Sequence, residues 1–334
     1  TDGGCPSLLL EPQSTNLMTY SEDFNQWGSS ATLINGALSP NGSNTAYEVL
    51  SSSSSSSRIE RVTTVSATNT EHTVSVFIKR SGTDNKATIL IETTETGRQG
   101  VNFNFDTKTL SNASGTTSNR QVQQLINDWF RVSYTFTTGS TVTTPIIQLN
   151  RSNPSQSAIY WGAQVEALPY ATSYIPTSGA IATRLADSVT GAGDTTTFND
   201  SEGVLYFEGS ALANDGNSRF ISISDGSTSN RVALLYYSSD NRVRAIVSSG
   251  GTKFVDSNVA ISSVTDNHKV AIKYKANDFA MWINGVEVLT DTTLNAPIGL
   301  DVSSFELGGS SPFFGRVKAL AVFNEALTDS ELEC

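Results

Sequence analysis

The sequence is poor in cysteine, histidine and charged side chains. Only two cysteines and two histidines occur in 334 residues, and charged residues make up 16%. His72 and His268 lie in different halves of the chain and no G-x-S-x-G motif is present, so a Ser-His or Cys-His nucleophile pair is not expected. Cys5 and Cys334 lie close to the two ends and can pair only if the termini meet; two free thiols are the simpler interpretation.

Basic residues and long apolar runs are also scarce. Lys and Arg number 21 against 32 Asp and Glu, which gives a net charge of -11, and no basic cluster occurs. Nucleic acids and anionic membranes are therefore not expected partners. No stretch approaches the roughly 18 apolar residues of a membrane span, and no signal peptide opens the chain. Because the chain begins at Thr1 rather than Met, we expect it to be part of a longer polypeptide.

Alternation of apolar and polar residues with a period of two recurs along the chain and predicts strands with one buried face. In the first half the predicted buried faces are Val74, Val76 and Ile78; Val101, Phe103 and Phe105; Phe130, Val132, Tyr134 and Phe136; and Ile159, Trp161 and Val165. In the second half, Asn284-Gly285 between apolar strands is the strongest hairpin signal. Thr328 and Glu331 match a capping box and predict a short terminal helix.

Short strands in two blocks, without helical crossovers, predict an all-β protein of two tandem antiparallel β-sandwiches of the jelly-roll type. The length also exceeds the usual size of one core. The stretch "LPYATSYIPTSGAIATR" (168–184) follows an apolar strand and contains two tyrosines and two prolines. We expect Tyr170, Tyr174 and Ile175 to pack back on the first sandwich, with domain boundaries at 1–177 and 178–334.

Three stretches resemble a module of bacteriophage fibre, spike and tail proteins that is related to carbohydrate-binding jelly rolls. They are "LLLEPQSTNLMTYSEDFNQW", "DWFRVSYTFTTG" and "IYWGAQVEALPYATSYIPTSGAIATRLAD". The second block, from "GVLYFEGSAL" to "GRVKALAVFNEALTDSELE", resembles a concanavalin A-like, laminin-G-type sandwich. The resemblance implies a virion surface or adhesion protein that contacts host glycans and other virion proteins. It also implies a homo-oligomer, which would be a trimer if the likeness to fibres holds.

Glycan sites combine aromatic ring faces with hydrogen-bonding groups. Phe279, Met281 and Ile283 alternate as a core face, which places Trp282 on the opposite side, beside the predicted hairpin turn. A sugar platform would form if the sheets bring Trp282 near Arg244 or a tyrosine; the alternative is that this second side is buried too. The predicted glycan-binding residues are Trp282, Asn284, Tyr237, Arg244 and Trp129.

A structural calcium ion is the candidate metal, since sandwich loops often supply carboxylate and carbonyl ligands. Glu22 and Asp23 in "TYSEDF", and Asp225 and Asn230 in "SDGSTSN", are the candidate ligands. Neither pair has the spacing of a dedicated calcium loop, and turn chemistry alone also explains them.

The function predicted from these features is non-enzymatic recognition of host surface polysaccharide at the virion surface. Laminarinase-like enzymes carry an E-x-D-x-x-E strand motif, which is absent here; the cluster Asp329, Glu331 and Glu333 lies in the predicted helix. A lyase would need His268, Tyr274 and Arg242 or Arg244 to converge. The alternatives are a structural decoration or assembly protein, a polysaccharide-degrading lyase or glycosidase, or a module of a bacterial glycanase or adhesin.

Overall fold

The computed structural model describes residues 6–63, 65, 68–141, 144–151, 154–237, 240–306 and 311–333. Cys5 and Cys334 lie outside this part of the chain, and so does their predicted pairing state. The chain divides into two compact units. We call residues 13–185 the N-terminal sandwich, and residues 6–12 together with 186–333 the C-terminal sandwich.

The N-terminal sandwich consists of two six-stranded antiparallel sheets, a two-stranded sheet and two short 3-10 helices. In spatial order, the first sheet contains Thr109–Ser114, Gly97–Asn104, Lys86–Thr93, Ile146–Leu149, Ile59–Val62 and Gly28–Ser29. The second contains Ser118–Gln124, Trp129–Thr137, Glu71–Arg80, Ser157–Glu166, Ala46–Leu50 and Thr32–Ala37. Ser14–Asn16 pairs with Ala182–Arg184, and the 3-10 helices span Phe24–Gln26 and Ile126–Asp128.

The C-terminal sandwich consists of a six-stranded and a five-stranded antiparallel sheet. The six-stranded sheet contains Leu8–Leu10, Gly315–Phe323, Glu202–Ala211, His268–Lys275, Phe279–Ile283 and Val286–Asp291. The five-stranded sheet contains Thr252–Ala260, Arg242–Ser249, Arg231–Tyr237, Ser218–Ser224 and Val302–Ser304. A four-residue helix, Asp329–Leu332, carries the predicted capping box between Thr328 and Glu331. Among the described residues, no helix is long and apolar enough to span a membrane.

Alternation along the strands builds both cores and confirms the predicted fold class. The predicted faces beginning at Val74, Val101 and Phe130 all lie in one buried cluster of the N-terminal sandwich. Both sheets contribute to that cluster: Val101, Ile89 and Ile147 come from the first sheet, and Val74 and Phe130 come from the second. In the C-terminal sandwich, the predicted face of Phe279, Met281 and Ile283 joins residues of the five-stranded sheet in the same way.

One predicted face is wrong in part because a bulge shifts the alternation. Strand Ser157–Glu166 changes register between Trp161 and Gln164, where Gly162 has a φ of +62°. Before the bulge Tyr160 faces the main core, and after it Val165 does. Trp161 therefore lies on the outer face, away from Val165. A Cβ at Gly162 would come within 2.9 Å of the Phe77 ring, so glycine is required there on steric grounds as well.

The unit boundaries differ from the predicted 1–177 and 178–334 because two short segments pair across the chain. Leu8–Leu10 forms an edge strand on Gly315–Phe323 and buries Leu10 in the C-terminal core. Ala182–Arg184, by contrast, pairs within the N-terminal sandwich. Both pairings join segments more than 150 residues apart, and local sequence patterns do not report such contacts.

The Asn16 side chain links the first strand of the N-terminal sandwich to the last part of that sandwich by hydrogen bonds. The side chain is fully buried; its Nδ2 donates to the carbonyls of Ala163 at 3.3 Å and Ile175 at 2.8 Å. Its Oδ1 accepts from the backbone N–H groups of Met18 at 3.1 Å and Val165 at 3.2 Å. One amide therefore satisfies four buried backbone groups.

Replacing Asn16 with Ala should destabilise the N-terminal sandwich by about 2–4 kcal/mol, because buried backbone groups lose their partners. Urea unfolding followed by tryptophan fluorescence in a Trp282→Phe background measures this unit alone, since the other three tryptophans lie within it. The neighbouring Thr15→Ala, which loses one exposed hydroxyl contact to Thr183, should cost less than about 0.5 kcal/mol. Equal losses for the two variants would contradict the role assigned to Asn16.

Candidate functional site

The N-terminal sandwich contains an open cleft of about 420 Å³ whose lining residues are mostly polar. We call it the Asp23 cleft. Its walls come from three separate parts of the chain: the loop before the first 3-10 helix, the edge strand Thr32–Ala37 with the adjoining strand Ala46–Leu50 and the loop between them, and the segment around the predicted domain boundary. The lining residues are Glu22, Asp23, Asn35, Asn44, Thr45, Tyr47, Pro176, Thr177 and Ser178.

Asp23 is held in place by the helix that follows it. Its carboxylate caps Phe24–Gln26 by accepting from the Asn25 backbone N–H at 3.2 Å. Its Oδ1 also accepts from the Tyr47 hydroxyl at 3.0 Å, and that hydroxyl in turn accepts from the Asn25 Nδ2 at 2.9 Å. The carboxylate is therefore positioned before any ligand arrives, and ordering it costs little on binding.

The environment of Tyr47 keeps its hydroxyl protonated. Burial, together with the hydrogen bond to Asp23 and the negative charge of that carboxylate, raises the pKa of Tyr47 to about 12. The ring is buried beside Phe24, with their centroids 5.4 Å apart. Tyr47 therefore acts in the cleft through its hydroxyl group and its contact with Asp23, not through an exposed ring face.

The segment after the last strand forms the opposite wall. The Thr177 backbone N–H donates to the Ser21 Oγ at 2.8 Å, and the Ser21 N–H donates to the Thr177 Oγ1 at 3.0 Å. The Tyr174 hydroxyl donates to the Ser21 Oγ at 2.7 Å and contacts Glu22 at 3.2 Å. Tyr174 also packs on Phe77 and Trp161, and Ile175 is buried, as the sequence predicted.

The cleft presents oxygen acceptors and amides to a ligand. Glu22 and Asp23 are half-buried carboxylates, whereas Asn35 and Asn44 are exposed amides. The lining contains no Lys, Arg or His, so its only formal charges are the two negative ones. Such a surface accepts hydrogen bonds from hydroxyl or amine groups and repels anions.

Trp282 is on the predicted side of its strand but its ring is covered. Only 5% of the residue is exposed, because Leu332 of the terminal helix packs on it together with Val204 and Ala271. It lines a smaller cavity of about 160 Å³, and its indole N–H has no partner among the described residues. The alternative of a buried second side is therefore the correct one, and Trp282 offers no open stacking surface.

The predicted platform does not assemble, because its members belong to opposite outer faces of the C-terminal sandwich. Tyr237 and Arg244 do lie together: the Arg244 Nη1 donates to the Tyr237 hydroxyl at 3.2 Å. They occupy the five-stranded sheet, whereas Trp282 occupies the six-stranded one. Asn284, with a φ of +51°, serves the hairpin turn and accepts from the Lys269 backbone N–H at 2.9 Å.

Trp129 and the lyase hypothesis are also corrected by the structure. Trp129 is 2% exposed and packs with Phe77 and Trp161 on the outer face of its sheet. Tyr274 points into the C-terminal core, whereas Arg244 lies on an outer face. His268, Tyr274 and Arg244 therefore do not converge on one surface.

The carboxylates proposed as calcium ligands have protein partners. Asp225 accepts from Ser227 and from the Asn230 Nδ2 at 2.8 Å, and Asn230 accepts from the Gly250 N–H at 2.8 Å. Partial burial raises the pKa of Asp225, but the bonds from Asn230 and Ser227 outweigh it and hold the pKa below its usual range. Within the part of the chain described, no three His, Cys, Asp or Glu side chains are grouped to hold a metal. Calcium binding stays a prediction.

Sequence reasoning missed most of the Asp23 cleft. Glu22 and Asp23 were singled out, but as metal ligands, and Asn35, Asn44 and Tyr47 were not singled out at all. These residues meet only because Thr32–Ala37 pairs with Ala46–Leu50 beside the Asp23 loop. The unusual Tyr- and Pro-rich stretch near Pro176 was the one usable signal for the second wall.

Comparison with known proteins supports the predicted fold of the C-terminal sandwich. Residues 195–333 match the family described as "Concanavalin A-like lectin/glucanases superfamily", which confirms the concanavalin A-like fold there. No curated protein matches the chain.

Solved structures with similarity include the CBM40 module of the Ruminococcus gnavus IT-sialidase, with 18% identity over 44% of this chain and 95% of that one, at a TM-score of 0.36. Mouse laminin α1 domains LG4-5 match with 12% identity over 84% of this chain and 91% of theirs, at a TM-score of 0.31. A pentraxin from Limulus polyphemus matches with 12% identity over 43% and 72%, at 0.33.

The Tyr47–Asp23 contact predicts a specific loss of stability in alkali. Because the folded pKa of about 12 exceeds the ordinary value of 10.0, the contribution of Tyr47 is complete below pH 10 and is lost as pH rises through 12. The difference in free energy of unfolding between wild type and Tyr47→Phe should therefore fall between pH 10 and 12, measured by urea unfolding. Asp23→Asn should move that fall to lower pH. A difference that is constant over this range would contradict the assignment.

Because Leu332 covers Trp282, the structure predicts that removing this side chain changes the fluorescence of the protein. Leu332→Ala should expose the indole, so that emission shifts to longer wavelength and acrylamide quenching increases. The same substitution in a Trp282→Phe background should leave the spectrum unchanged, because the other three tryptophans lie in the N-terminal sandwich. An unshifted spectrum for Leu332→Ala would show that the helix does not shield Trp282.

Proposed function

We propose that this chain is a non-catalytic glycan-binding protein, and that the Asp23 cleft binds an uncharged or amine-bearing sugar. The observation that supports this proposal is the chemistry of the groups that line the cleft. Sugar hydroxyl groups both donate and accept hydrogen bonds, and they match a lining of two carboxylates, two exposed amides and several hydroxyl groups. The preformed position of Asp23 supports selective recognition at low ordering cost.

The charge of the cleft determines the class of sugar. A carboxylate or sulfate on the ligand would lie near Glu22 and Asp23 without a compensating cation in the lining. Neutral hexoses and amino sugars avoid that repulsion. The net charge of -11 adds to the same preference at longer range.

We further propose that the protein acts at the surface of a bacteriophage particle, as part of a fibre, spike or related structure that attaches to host polysaccharide. The support is the resemblance of the "LPYATSYIPTSGAIATR" region, whose Pro176, Thr177 and Ser178 form one wall of the cleft. A single open cleft of this kind binds weakly. Several copies in a homo-oligomer would raise the effective concentration at a polymer surface and so the avidity.

Two other functions make different predictions. A decoration or assembly protein would bind other virion proteins and no glycan. A lyase or glycosidase would shorten the polymer, and the pair Glu22 and Asp23 would then carry the chemistry. Asp23 already caps a helix and accepts a hydrogen bond from the Tyr47 hydroxyl, which favours a ligand-binding role over a catalytic one.

A glycan array with the intact chain tests the proposal. We expect binding to neutral or amino-sugar glycans, and each of Asp23→Asn and Glu22→Gln should weaken it about tenfold, the effect of losing one charge-assisted hydrogen bond. Glu95→Gln removes an exposed carboxylate of the same sandwich that bonds Ser140 and Thr141 outside the cleft, and it should leave binding unchanged.

Chromatography of the bound polymer after incubation should show no change in length. Shortened polymer would replace the binding function with an enzymatic one. Absence of binding by the folded chain to every glycan would overturn the proposal and favour a structural role.

A further inference from the structure

The outer face of the five-stranded sheet contains a buried arginine without a partner. Val232, Leu234 and Tyr236 of strand Arg231–Tyr237 point into the core, so Arg231 points outward. The residue is only 4% exposed. Its Nε and Nη1 are buried and have no hydrogen-bond partner in the part of the chain that the structure describes.

Ser248 lies directly opposite Arg231 on the neighbouring strand and is also unsatisfied. The two residues are register partners between Arg231–Tyr237 and Arg242–Ser249. Ser248 is 1% exposed, and its Oγ has no partner among the described residues. A β-bulge at Val247 and Ser248 shifts the pairing with the next strand at this point. Bulges often redirect side chains beside binding sites.

The one carboxylate that acts electrostatically on Arg231 in the described chain is already occupied. Asp256 forms ion pairs with Arg244 and with the Lys253 Nζ, the latter at 3.3 Å. Burial lowers the pKa of Arg231, and the charge of Asp256 only partly opposes this while Arg244 adds to it. Three cations thus share one carboxylate, although the chain as a whole carries a net charge of -11.

Buried guanidinium nitrogens without partners are rare and costly, because their N–H groups have left water without replacement. Removing such a charge normally stabilises a protein or leaves it unchanged. A partner of opposite charge that binds from outside would satisfy these groups. The planar donor fork of arginine matches the two oxygens of a carboxylate or sulfate, and a serine hydroxyl completes the set of donors.

We propose that Arg231 and Ser248 form a binding site for an oxyanion, such as the carboxylate or sulfate ester of an acidic polysaccharide. The site lies in the C-terminal sandwich and does not depend on binding at the Asp23 cleft. The two sandwiches would then recognise chemically different groups, uncharged or amine-bearing sugar in one and an acidic group in the other.

Calorimetric titration of the intact chain tests the site, with four probes at constant ionic strength. The probes are inorganic sulfate, a sulfated hexasaccharide, hexagalacturonate and neutral cellohexaose. The anionic probes should bind, and Arg231→Gln should weaken them at least about tenfold, with a smaller loss for Ser248→Ala. Arg242→Gln is the matched control, because Arg242 is an exposed cation on the same sheet that already pairs with Asp240 at 2.9 Å.

The probes also distinguish the sources of the oxyanion. Equal binding of sulfate and the acidic oligosaccharides would support a site for the anion alone, and tighter binding of the oligosaccharides would support a polysaccharide ligand. Cellohexaose bound with the same dependence on Arg231 would overturn the proposal. So would anion binding that Arg242→Gln weakens as much as Arg231→Gln, since that pattern indicates nonspecific attraction.

Stability measurements distinguish a ligand-binding role of Arg231 from a structural role. Because the guanidinium lacks a partner, Arg231→Gln alone should not lower the Tm, while hexagalacturonate should raise the Tm of wild type and not of the variant. A large fall in Tm for Arg231→Gln without ligand would assign Arg231 a structural role instead. If that variant fails to fold, Arg231→Lys, which keeps the charge but loses the donor fork, and Ser248→Ala should still weaken the anionic probes.

Discussion

The constraint on which this structure depends is the two-residue alternation of side chains along a strand. Each sandwich buries one face of every sheet against the other sheet, and that face must be apolar. Residues at the alternate positions then point outward, and the opposite sheet of the sandwich does not cover them. Tyr236 and Tyr237 illustrate the rule: the first lies in the C-terminal core and the second on the outer face beside Arg244.

The outer faces are covered in two different ways and left unsatisfied at one position. Over Trp282, the terminal helix supplies an apolar cover through Leu332. Over Phe77 and Trp161, the segment that ends the first predicted domain supplies Tyr174. At Arg231, no protein group in the described chain supplies a partner. The contacts of Leu332 and Tyr174 stabilise the fold. At Arg231, in contrast, hydrogen-bond donors remain that the proposed ligand would use.

Sequence reasoning predicted the sheets because alternation is a local property. It failed where geometry depends on distant segments or on a single inserted residue. Ile159 and Trp161 share a face as predicted, but that face is the outer one, and the bulge at Gly162 places Val165 on the opposite, core-facing side. The pairing of Leu8–Leu10 with Gly315–Phe323 was missed because the two segments are distant in sequence. The Asp23 cleft was missed likewise, because Asn35 and Thr177 meet only after folding.

The proposed ligand site of the N-terminal sandwich is the Asp23 cleft. Titration of a glycan bound by the isotope-labelled chain, followed by backbone amide chemical shifts, tests this most directly. If the ligand binds in the cleft, the resonances of Asn35, Asn44, Tyr47 and Thr177 should shift together with a single affinity. Shifts confined to residues elsewhere in the chain, with the amides of these four unchanged, would contradict it.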